Sequence, residues 1–416
     1  MNKAALVGLL ALGGTALAAP TQITFWSWYL SPKFNSYIEG RIHAFEQLHP
    51  NIVVHWQDKQ ANMVQDFVAA ENLGSTPDVV NLNIPETASA AQNGFLAPVT
   101  DFTPLPKLKK IYWSDPLHNF TDSGQVYGYP WYGWLNQGAM VYNSKLLKQA
   151  GITHLPKTLT QLMADSETIH RKTGAYGWIP LIIDPSQPQD PAILGIFYGD
   201  GLPIVNSKGQ AVFDTPANIA DLAAYVKYYR SGNMPSRILT TDNFQLQIQL
   251  YTQGKLAFII GGPQALTRIK TANPALYAAT RVVPAPLGRA RNETGGGMDL
   301  VIPASSKHPH AAALFASFMS DNHNQVLFAE QTPIVPTTRL AAQNAFFQTH
   351  GSSPVAVATA LVSTKGRYIT PGYTPPAHSS AVIGHLNNDI EAALLGKMTP
   401  AQALKDAVAY WNSHLK

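Results

Sequence analysis

The sequence contains no cysteine among its 416 residues. That excludes disulfides, thiolate metal sites and thiol chemistry, together with a lipid anchor carried on a cysteine at the start of a mature chain. Charge is scarce as well. Asp, Glu, Lys and Arg make up 13% of the residues, formal net charge is +4, and no block of like charge occurs. A nucleic-acid surface needs a denser basic patch than this. A polar surface with so few ions leans on Asn, Gln, Ser, Thr and Tyr, which suits uncharged, hydrogen-bonding ligands. Beyond the first 18 residues there is no run long and apolar enough to span a membrane. Catalytic signatures are missing too: there is no Gly-x-Ser-x-Gly elbow, no Walker sequence and no complete Gly-x-Gly-x-x-Gly. The thirteen histidines are scattered, and the close pair His308-Pro309-His310 reads as a surface loop before a helix. No metal and no cofactor are expected.

What is present begins with Met1 to Ala18: one charge at Lys3, an apolar run from Ala4 to Leu12, and Ala16-Leu17-Ala18. This is the layout of a cleavable export signal. A soluble protein outside the cytoplasm, in a periplasm or equivalent space, is therefore expected. Directly after it comes Ile23-Thr24-Phe25-Trp26-Ser27-Trp28-Tyr29, a β-rich run ending in rings. Open α/β sheets bind ligands beyond the carboxyl ends of their strands, so these aromatics suit a cleft that takes a small molecule.

Hydrophobic residues make up 45% of the chain and mean hydropathy is near zero, which describes a globular protein long enough for two domains. Apolar spacing predicts helices over Ser36–Leu48, Met63–Leu73 and Glu86–Asn93. These alternate with strands at Ile52–Trp56 and Asp78–Leu82. The β-α-β-α order implies a parallel sheet covered by helices. Further on, strands are read at Gly138–Asn143, Leu256–Ile260, Val282–Pro284 and Leu300–Pro303. Thr158/Gln161, Thr215-Pro216 and Thr399/Gln402 mark helix starts.

Several segments in order resemble the solute-binding proteins of sugar-type ABC importers, the maltose-binding-protein-like group. They are His49-Pro50-Asn51-Ile52-Val53-Val54, Pro77-Asp78-Val79-Val80, Tyr127-Gly128-Tyr129-Pro130, Val141-Tyr142-Asn143 and Leu155-Pro156-Lys157-Thr158. Gly254 to Pro263, Ser306 to Ala312 and Thr399 to Leu404 follow. The resemblance implies a two-lobed α/β fold of type II, each lobe a mainly parallel sheet flanked by helices, with several hinge crossings. It places residues 19–132 and 263–325 in the first lobe and 133–262 and 326–416 in the second. It implies no catalysis, a carbohydrate ligand, permease subunits as partners, and a monomer. Where family members with Gly-Pro-Trp stack a sugar on that Trp, this chain has Gln264.

A sugar cleft needs aromatic walls for C–H faces and planar polar groups for hydroxyls. Trp26, Trp28 and Tyr29 are candidates for the first wall. Alternation puts Trp26 and Trp28 on one face, cleft or core. Asn83 is either a polar contact or a helix cap. At least one of Trp131, Tyr132 and Trp134 is expected at the cleft. Tyr198 and Asp200 precede Gly201, where turn chemistry is the alternative. Gly261, Gly262 and Gly297 would let a backbone come close, with Gln264, Met298 and Asp299 beside them and Tyr368 on a possible second wall. Two rivals remain at this stage. One is a binder of another polyol-type solute such as a glycerol phosphodiester, for which Arg237 and Arg367 are the cations to watch. The other is a secreted carbohydrate-active enzyme, although Asp200 and Asp299 cannot be paired from sequence as the two carboxylates it needs.

Overall fold

The computed structural model describes residues 19–59, 63–185, 190–332, 334–348, 351–368 and 379–415, so the export signal expected at 1–18 lies outside the described residues. Its strands are β1 Thr21–Ser27, β2 Ile52–Asp58, β3 Val79–Asn83, β4 Leu96–Ala97, β5 Thr121–Asp122, β6 Gln125–Val126 and β7 Gly128–Leu135. Then follow β8 Ala139–Asn143, β9 Tyr176–Trp178, β10 Leu256–Gly261, β11 Thr280–Val283, β12 Gly295–Pro303 and β13 Val335–Pro336.

The first sheet runs β13-β7-β12-β3-β1-β2, with β4 on β12. β1 pairs in parallel with β2 and β3, as the alternating β-α pattern requires. β12 enters antiparallel between β3 and β7. Both faces of this sheet are covered. Ile23 and Phe25 of β1 pack into one core with Phe45, Trp131, Phe315 and Phe328. Trp26, one residue on and so on the opposite face, packs into another with Met63, Phe67 and Val301. The second sheet runs β11-β8-β10-β9, with β9 and β10 parallel and the rest antiparallel. Its core holds Trp178, Phe197, Tyr228, Phe258 and Trp411. Two independent sheets with separate cores make two lobes.

The predicted elements appear where the caps place them. Thr215 accepts from the Asn218 amide ahead of helix Pro216–Tyr228, and Thr399 with Gln402 completes a reciprocal capping box. At Thr158 only half the box forms, because Gln161 turns its side chain to the Lys157 amide instead. The glycine run Gly295–Gly297, read as lying outside the strands, is the start of β12.

The lobe boundaries differ from those expected in two places. Residues 264–283 belong to the second lobe: Ala265, Leu266 and Ile269 fill its core, and β11 pairs with β8. Residues 326–347 belong to the first: Val326, Phe328, Ile334 and Phe347 fill that core, and β13 pairs with β7. β7 also stays in the first sheet through Leu135. The chain therefore crosses between β7 and β8, between β11 and β12, and between Phe347 of the first core and Ala358 of the second, and Ser363–Tyr368 returns to the first lobe, where Gly366 abuts Trp113 and Pro336.

The first two crossings are tied together. The Asn136 amide donates to the Thr294 carbonyl at 2.9 Å. Gln137 Oε1 accepts from both the amide (2.9 Å) and the hydroxyl (3.1 Å) of buried Thr294. Beside them Lys365 Nζ meets both carboxylate oxygens of Glu293 at 2.8 Å. Removing Gln137's carbonyl leaves the buried Thr294 amide unsatisfied, so Gln137→Ala is expected to cost about 1–3 kcal/mol in denaturant unfolding. A cost within error of zero would show that the hinge does not rely on this bond.

Candidate functional site

β1 ends at Ser27, and the turn after it is held by one carboxylate. Asp58, at the end of β2, accepts from the Ser27 hydroxyl at 2.6 Å and from the Leu30 amide at 2.9 Å. The Trp56 indole donates to the same Ser27 oxygen at 2.7 Å. The clamp fixes a turn in which Tyr29 takes φ +58°, a left-handed conformation rare for a bulky residue. Backbone of this kind costs about 1–3 kcal/mol and persists where surrounding bonds hold it. Its effect is to lay the Tyr29 ring out in solvent, 59% exposed. It stacks with Trp28 at 6.5 Å between centroids and 19° between planes.

Those two rings form one side of a solvent-open pocket of about 220 Å³, smaller than an ordinary enclosed small-ligand site. Tyr132 and Trp134 of β7 line it, as do Phe34, Phe328 and Ile334, and Gln264 reaches in from the second lobe. Trp134 has its place because its strand partner is Gly296: a Cβ there would meet the indole ring. Burial, then Asp58, pushes the Tyr132 phenol well up, which keeps it a neutral hydroxyl. Gln264 Oε1 is buried without a hydrogen-bond partner, an acceptor held ready for a donor. Gly262 leaves room for that amide, which a Cβ would hit.

The sequence candidates thus separate. Trp28, Tyr29, Tyr132, Trp134 and Gln264 come together at the pocket, with Gly262 shaping it and Gly261 open above its Cα. Trp26 shares a face with Trp28 but is buried in the core, with Lys59 Nζ 3.7 Å from its ring centroid. Trp131 is not at the cleft. It is fully buried, stacked on Phe328 at 5.5 Å and edge-on to Phe25. Asn83 is a helix cap, accepting from the Glu86 amide at 3.2 Å. Tyr198 packs against the second core, and Asp200 is spent on Arg289, 3.0 Å away. Gly297 and Met298 are buried within β12. Arg237 bonds Gln249, and the side chains of Tyr368 and Arg367 lie outside the described residues.

Asp299 is a correction of a different kind. It offers no carboxylate to a ligand, because it is wholly buried. Its Oδ1 accepts from Thr87 at 2.9 Å, Oδ2 has no partner, and the carboxyl occupies the space a Cβ on Gly128 would need. Burial drives its pKa well above the usual carboxylate range, with the Thr87 bond opposing.

Sequence reasoning missed Glu86 and Lys33. Burial, opposed by its backbone hydrogen bond and reinforced by Asp190, pushes Glu86 to about 7, and its Oε2 is buried without a partner. Asp190 belongs to the other lobe. Lys33, next to Phe34, is lowered by burial and then by Arg268, one turn beyond Gln264 in the second lobe. Both are single charges in loops or first turns, with no spacing to betray them.

The chain is similar to the diacetylchitobiose-binding protein of Streptomyces coelicolor, 26% identical over 84% of this chain and 80% of that one. The fold matches the crystal structure of a periplasmic-binding protein from Synechococcus sp. MITs9220, with TM-score 0.83 and 25% identity over 94% of this chain and 98% of that one. It also matches maltose-bound T. maritima MalE3, with TM-score 0.77 and 20% identity over 94% of this chain and 99% of that one.

The raised pKa of Asp299 has a stability consequence. Below the unfolded carboxyl range both states are protonated and burial carries no ionic cost. As pH rises the unfolded state ionises first, so folding loses stability until the buried group also ionises. Asp299→Asn is expected to melt above the parent near pH 7, with the gap closing toward about pH 4. Melting temperatures with a constant gap across that range would show that Asp299 is not the titrating group. A match to the bacterial extracellular solute-binding protein family runs from residue 28 to residue 326, across both sheets, the hinge and the pocket, and this chain belongs to that family.

Proposed function

We propose that this chain is an exported, non-catalytic binding protein that captures a neutral carbohydrate of oligosaccharide size between its lobes and delivers it to the permease of an ABC importer. One observation carries the reading. Four rings, those of Trp28, Tyr29, Tyr132 and Trp134, share one solvent-open pocket with the unsatisfied Gln264 carbonyl. Rings supply flat apolar surface for the C–H faces of a pyranose, and a buried acceptor selects hydroxyls. Gln264 stands where relatives of the resemblance carry a stacking Trp, so the stacking surface comes from the first lobe instead.

The names of relatives point the same way. Besides the diacetylchitobiose-binding protein, they include a galactooligosaccharide-binding protein and a maltodextrin-binding protein of Bacillus subtilis, at 22% and 24% identity. The export leader and the scarcity of charge fit a protein that works alone outside the cytoplasm on an uncharged solute. Closure of one lobe on the other would create the form a permease reads, since a ligand shifts a conformational equilibrium only by contacts it makes better in one state.

A thermal-shift screen with chito-, galacto- and malto-oligosaccharides tests this, because ligand bound only to the native state raises the melting temperature. A concentration-dependent rise with one series is expected. Tyr29→Ala, which removes an exposed ring, should then weaken that affinity roughly ten-fold or more, about 1.4 kcal/mol, with the unliganded melting temperature nearly unchanged. No rise with any saccharide, or a rise only with glycerol phosphates, would overturn the carbohydrate reading. Release of sugar products would overturn the binding-only one.

A further inference from the structure

Away from the cleft, the helices Ser379–Leu394 and Pro400–Ser413 pack against each other and on the second core through Ile383, Ile390, Leu404 and Trp411. On this pair His385 Nε2 lies 3.4 Å from Asp389 Oδ2, one turn along the same helix. It lies 3.1 Å from Asp406 Oδ2 on the other helix. One donor atom from each residue falls within 4.8 Å of the other two. The His385 ring stacks on Tyr410 at 3.9 Å and 8°, which holds the imidazole plane so that Nε2 faces both carboxylates.

Two observations make this more than a cluster of surface charge. Asp389 is only 7% exposed, yet its Oδ2, the atom aimed into the cluster, has no hydrogen-bond partner. A buried carboxylate oxygen whose contact is one imidazole nitrogen at 3.4 Å, with no hydrogen bond, is poorly satisfied. Burial, opposed by His385 and reinforced by Asp406, pushes Asp389 to about 6. The spacing is the second observation. Ligands about 2.0–2.2 Å from a tetrahedral zinc ion lie roughly 3.3–3.6 Å apart. The 3.4 Å from His385 Nε2 to Asp389 Oδ2 falls in that range, and the 3.1 Å to Asp406 Oδ2 is slightly shorter, with all three donor atoms within 4.8 Å of one another.

We propose that His385, Asp389 and Asp406 form a divalent transition-metal site of the zinc type, with its remaining position open to water. One imidazole and two carboxylates suit Zn²⁺ and its neighbours better than Ca²⁺ or Mg²⁺, which favour all-oxygen sets. Asp406 is half exposed and His385 about a third, which leaves an entry path. The ion would bind two ligands from one helix and one from the other. It would fasten the helix pair that covers the second core and would take no part in contacts at the cleft.

The test uses tag-free protein stripped with chelator and titrated with ZnCl₂, read by melting temperature and by metal content after gel filtration. One bound zinc per chain is expected, with a rise of roughly 2–5 °C at saturating metal. Both should be lost in Asp406→Asn, whose exposed side chain makes folding safe, and in His385→Gln. Magnesium at the same concentration should give no shift. Absence of bound zinc, or equal zinc content and shift in Asp406→Asn, would overturn the site and assign any uptake to the other histidines.

Discussion

The antiparallel ladder between β7 and β12 is the contact on which the rest of the molecule turns. It runs from Val301 opposite Gly128 to Gly295 opposite Leu135. One end is deep in the first lobe and the other is at the hinge. Glycines sit at the points where a side chain would block it. At Gly128 the vacant space holds the Asp299 carboxyl, and at Gly296 it holds the Trp134 indole. A backbone without side chains at these points lets one pair of strands bury a carboxyl at one end and present an aromatic wall at the other.

The wall depends on a second, smaller constraint. Asp58 reaches from the end of β2 to the turn after β1 and satisfies both the Ser27 hydroxyl and the Leu30 amide. A carboxylate with two short bonds is a stiff support, and it holds Tyr29 in a backbone conformation the residue would not choose alone. The rings are therefore displayed on a preset frame, which lowers the ordering cost of capturing a ligand.

Much of this was legible in the sequence because the signals are local. The β-α alternation of the first sheet, the caps at Thr215 and Thr399, and the aromatic run after Ile23 each rest on neighbours within a few residues. Trp28 and Tyr29, which line the pocket, belong to that run. Trp131 is not separable from Tyr132 and Trp134 by spacing, because its burial rests on distant Phe25 and Phe328, and Tyr132 touches the same Phe328. The lobe assignments of residues 264–283 and 326–347 failed for the same reason: strand pairing with β8 and β7 is a long-range choice. Asp299 looked like a ligand carboxylate because sequence carries no measure of depth. His385, Asp389 and Asp406 were passed over since two of them are one turn apart and the third arrives on another helix.

Lys33 and Arg268 face each other across the lobes, and so do Glu86 and Asp190. Lys33 and Arg268 are like-charged, whereas burial raises both Glu86 and Asp190, so that pair repels only where both carboxyls are ionised. Repulsion of this kind weakens as salt screens the charges over a Debye length of about 8 Å at physiological ionic strength. The contact between the lobes is therefore one on which the salt and acidity of the medium act directly.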